Sequence, residues 1–289
     1  MTTSNVIEDS YYDLIDKDLP DNKGVFLLEN GPYCDKKTLE WAKNSNPKIV
    51  LGQYLDDKNT KMWVRMPSTD GPICAQILES NSGDTYFLNT LINIGFLNTE
   101  NTKTIIDIGG HIGSFSIFAN YKFPQSKIYA FEPYQQSYDI FQKNIEKRFL
   151  NIQVENCAIS DSDNKTGGRF LFDDKYENNL SANKIVWDGS TSNFTTKTLK
   201  TVCKENNLNK IDLLKLDVEG AEYEILPSII QTGIIKNIGC IVMELHKSQD
   251  RPLSKILHCF EDNFKNIHME HYQNGKHSML YAWDNKYDN

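Results

Sequence analysis

Apolar residues along this chain fall into two rhythms that alternate. Short apolar runs at Ile105–Ile106, Ile128–Phe131, Ile152–Ile159, Ile211–Leu216 and Ile238–Leu245 are bounded by polar turns and read as buried strands. Between them the spacing changes to three and four residues. Phe115, Ile117, Phe118 and Tyr121 predict a short helix ending near Pro124, and Tyr134, Tyr138, Phe141, Ile145 and Phe149 predict a longer one over Pro133–Phe149. Thr198–Glu205 reads as a helix capped by Thr198, and Leu253–Phe264 as another. Ile267–Tyr272 and Ser278–Trp283 flank Asn274-Gly275, a hairpin signal. The order is therefore β-α-β-α-β, an insert, then α-β-α-β-α-β-β, which predicts an α/β fold with a mainly parallel sheet and an antiparallel last strand.

Two regions depart from this rhythm. Residues 1–100 read as an N-terminal extension ahead of a core at 101–289. Its first 20 or so residues form a polar arm, followed by strand-like Val25–Leu28, Ile49–Leu51 and Lys61–Met66, a helical turn at Thr38–Lys43, and a helix within Ser80–Gly95 capped by Ser82 or Asp84. This extension either shapes a pocket beside the sheet or is structural padding. The second departure is the insert at about 161–197, rich in Asp, Asn, Ser and Gly, with strand-like Arg169–Phe172 and Lys184–Trp187. A connection of that length inside an α/β unit is usually functional or mobile.

Composition narrows the class. The 289 residues suffice for a full core, and the 39% hydrophobic content fits a soluble globular protein. No apolar run approaches the roughly 20 residues a membrane helix needs. A net charge of −8 argues against nucleic acid as the main partner. Six scattered cysteines without a C-x-x-C pair read as reduced thiols in a cytoplasmic protein, and no metal-ligand pattern stands out. The acidic N-terminus does not read as a secretory signal.

Candidate chemistry gathers where predicted strands end. Thr104–Ser116 reads TIIDIGGHIGSFS: a buried strand, an acid at Asp107, then a turn carrying Gly109, Gly110 and Gly113 before a helix. A dinucleotide fingerprint needs further glycines where His111 and Ser114 stand. An acid at that strand end would repel a pyrophosphate but suit a ligand bearing an ammonium group, which points to S-adenosylmethionine; the other reading is an ordinary tight turn. Glu132, at the end of the next strand, is placed to accept both hydroxyls of a ribose, or else complements the following helix as a first-turn acid. Cys157 and Ala158 either border an adenine or are plain strand packing. Past Leu216 stand Asp217, Glu219 and Glu222, and past Met243 stand Glu244 and His246.

TIIDIGGHIGSFS, the FEP at Phe131–Pro133, NCAIS at Asn156–Ser160, TLK at Thr198–Lys200 and IDLLKLDVEGAE at Ile211–Glu222 together resemble the FkbM family of S-adenosylmethionine-dependent methyltransferases, over about Lys61 to His246. The resemblance implies a Rossmann-like, seven-stranded class I methyltransferase fold with helices on both faces. It implies that Asp107, Gly109 and Gly113 line the methionine end of the cofactor, that Glu132 holds the ribose, that Cys157–Ala158 border the adenine and that Asp217 sits beside the methyl group. The family commonly has Asn where His111 stands, so His111 is a pocket residue or a tolerated turn histidine; Lys200 also departs from the usual TLD.

The implied activity is O-methylation of a hydroxyl on a sugar, nucleotide-sugar or natural-product acceptor. N-methylation, or a non-catalytic module of the same fold, remains open. A hydroxyl needs a base, and Asp217 and His246 are the candidates: His246 because it titrates nearest neutrality, Asp217 as base, as a positioner of the hydroxyl or as a metal ligand. Glu219, Glu222 and Glu244 read first as structural charge. The acceptor and the oligomeric state, a homodimer among the options, are not legible.

Overall fold

The computed structural model describes residues 27–28, 49–53, 60–65, 70–78, 84–146, 148, 150–171, 184–190, 194–246, 253–271 and 277–287. The polar arm, the turn at Thr38–Lys43, Ser82 and the Asn274-Gly275 pair lie outside these residues.

The central sheet has seven strands: β4 (Thr104–Ile108), β5 (Lys127–Phe131), β6 (Ile152–Glu155), β11 (Leu213–Leu216), β12 (Cys240–His246), β13 (Phe264–His271) and β14 (His277–Asn285). Their spatial order is β13-β14-β12-β11-β4-β5-β6. Pairing is parallel from β6 across to β12, and β14 runs antiparallel to both its neighbours. The chain order reverses between β4 and β11, so the carboxyl ends of those two strands border the crevice where open α/β sheets bind ligands.

Each strand between β5 and β12 carries apolar side chains on both faces, because helices cover both. Leu214 and Leu216 of β11 face α6 (Glu222–Gln231) and α7 (Leu253–Asn263) in one cluster with Ile106, Phe131, Ile225, Leu226 and Phe260. On the other face Ile105, Ile128, Leu213 and Val242 pack with Phe115 and Ala119 of α3 (Ser114–Lys122). The helix α4 (Gln135–Glu146) follows Glu132 and buries Ile140 and Phe141.

The N-terminal region is built into this core. Asp84 caps α2 (Leu88–Asn93): its carboxylate accepts from Asn89 N–H (2.9 Å) and Thr90 N–H (2.7 Å). Leu88 and Leu91, at helical spacing, are buried with Tyr86 against Phe115. A small sheet of β1 (Leu27–Leu28), β2 (Ile49–Gln53) and β3 (Lys61–Arg65) precedes α1 (Asp70–Leu78). Met62, Val64, Cys74 and Leu78 from β3 and α1 pack against Ile112, Ile117 and Ile140.

One predicted strand is divided. Within Ile152–Ile159, only Ile152–Glu155 stays in the main sheet; Cys157–Ile159 forms β7 and pairs with β10 (Thr195–Lys197). The break falls at Asn156, whose Nδ2 donates to the carbonyls of Glu132 (2.9 Å) and Pro133 (3.2 Å), pulling the chain toward the end of β5. The insert forms an antiparallel hairpin of β8 (Gly167–Leu171) and β9 (Lys184–Ser190) and leads through β10 to α5 (Leu199–Glu205), which Thr198 caps by accepting from Thr201 N–H (3.1 Å).

Candidate active site

The strand ends at the switch point are tied to one another by backbone. Gly109 and Gly110 N–H both donate to the Phe131 carbonyl (3.0 Å each), and Asp217 N–H donates to the Ile108 carbonyl (3.1 Å). Gly109 has φ +80°, and a Cβ there would run into the Asp217 carbonyl oxygen; Gly113 has φ +92° with the Phe141 ring where a Cβ would go. These glycines are therefore required by the chain's own close approach.

Asp107 is fully buried. Its Oδ2 accepts from Ser116 Oγ (2.6 Å), and Lys215 Nζ lies 3.1 Å from its Oδ1. Opposite Asp107, where the sequence suggests a ligand's ammonium group, stands an ammonium of the chain itself. Lys215, 2% exposed, also donates to the Gly109 carbonyl (2.6 Å), lies 3.9 Å from Asp217 Oδ2 and sits over the rings of Tyr86 and Phe115. Burial pulls this amine down, but the charges of Asp107 and Asp217 outweigh it and hold it above its ordinary range. Asp217 reaches the surface and accepts from Tyr86 Oη (3.1 Å). Burial, then the charges of Asp217, Glu244 and Asp107, keep the Tyr86 phenol well above its usual range, so it remains a donor.

Glu132 is nearly enclosed at the end of β5. Each of its oxygens takes one backbone N–H: Oε2 from His111 and Oε1 from Tyr134, both at 2.8 Å. Burial nonetheless raises its pKa against the favourable charges and donors around it. His111 adopts φ 50°, and its Nε2 lies 2.8 Å from Arg65 Nη2 and 3.0 Å from Asp70 Oδ1. Cys157 and Ala158 are buried on β7, and burial pushes the Cys157 thiol up to about 12.

The DVEGAE segment and the end of β12 form a carboxylate cluster around His246. Glu222, fully buried, points Oε1 at His246 Nδ1 (2.9 Å) and near the N–H groups of Val218 (3.4 Å) and Gly220 (3.3 Å). On the other side, His246 Nε2 lies 3.2 Å from Glu219 Oε2 and 3.9 Å from Glu244 Oε1. Burial works against a charged imidazole, but the Glu222 hydrogen bond and the charges of Glu222, Glu219 and Asp217 prevail and push His246 up to about 10. This surrounding favours the imidazolium over the neutral imidazole on which the sequence argument for a base relied. Burial and like charges push the carboxyls up as well, Glu219 to about 7 and Glu244 to about 8. The register pairs Leu216 with Met243, which sets Asp217 and Glu244 level on adjacent strand ends.

The geometry thus brings Asp107, Gly109, Gly113, Glu132, Asp217 and His246 to one edge of the sheet. Lys215, Tyr86, Arg65 and Asp70 were not singled out in the sequence. Only Lys215 carried a signal, as a lone cation inside an apolar strand. Among the described residues no cluster has the makings of a metal site.

The family model for the methyltransferase FkbM domain matches residues 107–275, more than half of the chain. The chain belongs to the FkbM methyltransferase family. That family uses S-adenosylmethionine. Among curated relatives, this FkbM chain is 30% identical over 140 residues to Methyltransferase 1 of Beauveria bassiana, covering 42% of this chain and 56% of that protein. It is 29% identical over 162 residues to Methyltransferase sdnD of Sordaria araneosa, covering 46% and 62%. It therefore spans somewhat over half the length of these relatives. Among solved structures, Methyltransferase FkbM from Methylobacillus flagellatus KT is 16% identical, with 65% of this chain and 45% of that chain covered and a TM-score of 0.45.

Proposed function

We propose that the protein transfers the methyl group of S-adenosylmethionine to a hydroxyl of a small-molecule acceptor, a sugar, nucleotide-sugar or natural product. The observation that carries this reading is the pairing of Asp217 with Glu244, level on adjacent strand ends beside the family's cofactor crevice, with the Glu244 carboxyl pushed up to about 8. A carboxylate in that range is a far stronger base than an ordinary one, and a hydroxyl acceptor needs one.

The residues present fit the cofactor. Glu132 has one backbone donor on each oxygen, which leaves lone pairs for two ribose hydroxyls. The buried His111 Nδ1 finds no partner among the described residues and supplies one more polar atom at the same turn. Cys157 and Ala158 offer an apolar border for the adenine. Asp107 acts through Lys215, which it anchors so that the ammonium holds the Gly109 carbonyl and the glycine turn. When bound, the cofactor would supply an electrophilic sulfonium methyl, open to attack by an oxygen nucleophile, with S-adenosylhomocysteine as the leaving group.

The chain then contributes three things. Asp217 and the Tyr86 hydroxyl orient the acceptor, a positioning effect that can contribute ~7–11 kcal/mol. Glu244 takes the hydroxyl proton, with Glu219 as the second carboxylate in range. His246, clamped as an imidazolium, holds the loop of Glu219 and Glu222 in register. We assign acceptor coverage to the β8–β9 hairpin; in support, its Phe170 packs edge-on against Tyr134 (5.3 Å between ring centres), and Lys165, just before it, bridges to Glu224 (2.9 Å). The buried thiols of Cys157, Cys203 and Cys240 accord with a reducing compartment, for which we propose the cytoplasm.

The test is a titration of S-adenosylhomocysteine by calorimetry, followed by a panel of hydroxyl and amine acceptors scored for S-adenosylhomocysteine release. Turnover confined to amines would replace the O-methyl reading. Cofactor binding without any turnover would leave a binding module.

A further inference from the structure

Besides the apolar packing on Ile112, the N-terminal region reaches the glycine turn through a buried polar contact that the reaction described above does not use. Asp70, at the start of α1, is fully buried. Its Oδ2 accepts from Arg65 N–H (2.9 Å) and Arg65 Nε (2.7 Å), its Oδ1 accepts from Arg65 Nη2 (2.8 Å), and His111 Nε2 lies 3.0 Å from the same Oδ1. Burial opposes its charge, but His111 and Arg65 prevail and hold this carboxyl well below the ordinary range, so it is ionised at any working pH.

His111 is a non-glycine residue at φ 50°, a conformation that costs energy unless its surroundings impose it. Its ring is what the surroundings grip, between Arg65 and Asp70. Its backbone N–H is what the conformation aims, at Glu132 Oε2 (2.8 Å). The other donor to Glu132, Tyr134 N–H, lies two residues along the same chain and needs no outside support.

We propose that Asp70 is a positioning residue for nucleoside binding, acting through the His111 ring to fix the N–H that orients Glu132. The inference rests on the reading of Glu132 as the ribose acceptor. It makes α1 and β3 part of the cofactor site without any contact to the cofactor.

The test is calorimetric titration of S-adenosylhomocysteine and of its 2′,3′-dideoxy analogue into the wild type, Asp70→Asn, His111→Ala and Glu132→Gln. Asp70→Asn should weaken S-adenosylhomocysteine roughly tenfold, the lower end of what a lost charge-assisted hydrogen bond costs. It should leave the dideoxy analogue within about twofold of its wild-type affinity, because that ligand has no hydroxyls for Glu132 to hold. In turnover, the cofactor KM should rise with kcat unchanged. Equal weakening of both ligands would show Asp70 to be a structural staple and overturn the proposal. If Asp70→Asn does not fold, His111→Ala carries the test: Ala keeps the N–H but has neither the ring nor the ease of Asn in a left-handed turn, so the same hydroxyl-dependent loss is expected. Unchanged S-adenosylhomocysteine binding in Glu132→Gln would defeat the ribose reading itself. Weakened binding there, with Asp70→Asn and His111→Ala both at wild-type affinity, would defeat this inference alone.

Discussion

Replacing Lys215 by Met tests whether its charge holds the switch point together. The two side chains have similar length, so the volume in the core is kept and the ammonium is lost. Asp107, fully buried, then keeps only the Ser116 hydroxyl as a side-chain donor, and the Gly109 carbonyl loses its 2.6 Å donor. Breaking a buried ion pair from one side typically costs ~3–5 kcal/mol, because the remaining charge is stranded. Against a total stability of about 5–15 kcal/mol that is a large fraction. Asp217 adds little to the loss, since it is 3.9 Å away and partly solvated. Removing both charges together strands no charge and leaves only the Gly109 carbonyl short of a donor, so Lys215→Met with Asp107→Asn should recover most of the deficit. The sign with pH follows from Lys215 being held above its ordinary 10.5. Its contribution is fully present below that value and lost only above it, so the deficit should be flat from about pH 6 to pH 9. Equilibrium urea unfolding followed by tryptophan fluorescence reads all three quantities. A single mutant within about 1 kcal/mol of wild type, or a double mutant no better than the single, would refute the reasoning.

Other expectations follow from the same site. His246 is raised from 6.5 to about 10, so its contribution to stability is present below pH 6.5 and lost as pH rises to 10; in His246→Gln, melting temperature measured across that window should decline less steeply than in wild type, and parallel curves would remove the imidazolium clamp. Glu244→Gln should lower kcat by about 10²–10⁴ with little change in S-adenosylhomocysteine affinity, and a variant within a few-fold of wild type would pass the base role to Glu219 or Asp217. The acid limb of the wild-type pH–rate profile should fall near 7–8, and His246→Gln should move it upward, because the imidazolium's charge holds both carboxyls down; an unmoved limb counts against this. Glu132→Ala should weaken cofactor binding roughly ten- to hundredfold, read by calorimetry. Cutting the β8–β9 hairpin back to a short turn should impair acceptor turnover and spare cofactor affinity, and unimpaired turnover would discard its covering role.

Much of the architecture was written in local pattern. The change from apolar runs to three- and four-residue spacing marked strands and helices from Ile105 onward, since each element must bury one stripe or both faces. Acids at Asp107, Glu132 and Asp217 could be placed at strand ends by counting, because a parallel sheet puts every carboxyl end on one side. The glycine turn was visible for the same reason, though what it accommodates is the Asp217 carbonyl and the Phe141 ring. Charge state was a different matter. His246 looked like a neutral base because an isolated imidazole titrates near 6.5; the Glu222 hydrogen bond and the charges of Glu222, Glu219 and Asp217, from separate positions in the chain, favour its cationic form. Lys215 looked like an interruption in a strand until β4 brought Asp107 beside it. Asp70 and Arg65 had no periodicity to mark them, and only packing of α1 on the core carries them to His111. Hydrophobic periodicity is a property of neighbours along the chain, so the sequence by itself determines where elements form. Ionisation depends on burial and on charges a few ångströms away, and those neighbours exist only once the tertiary structure has assembled them.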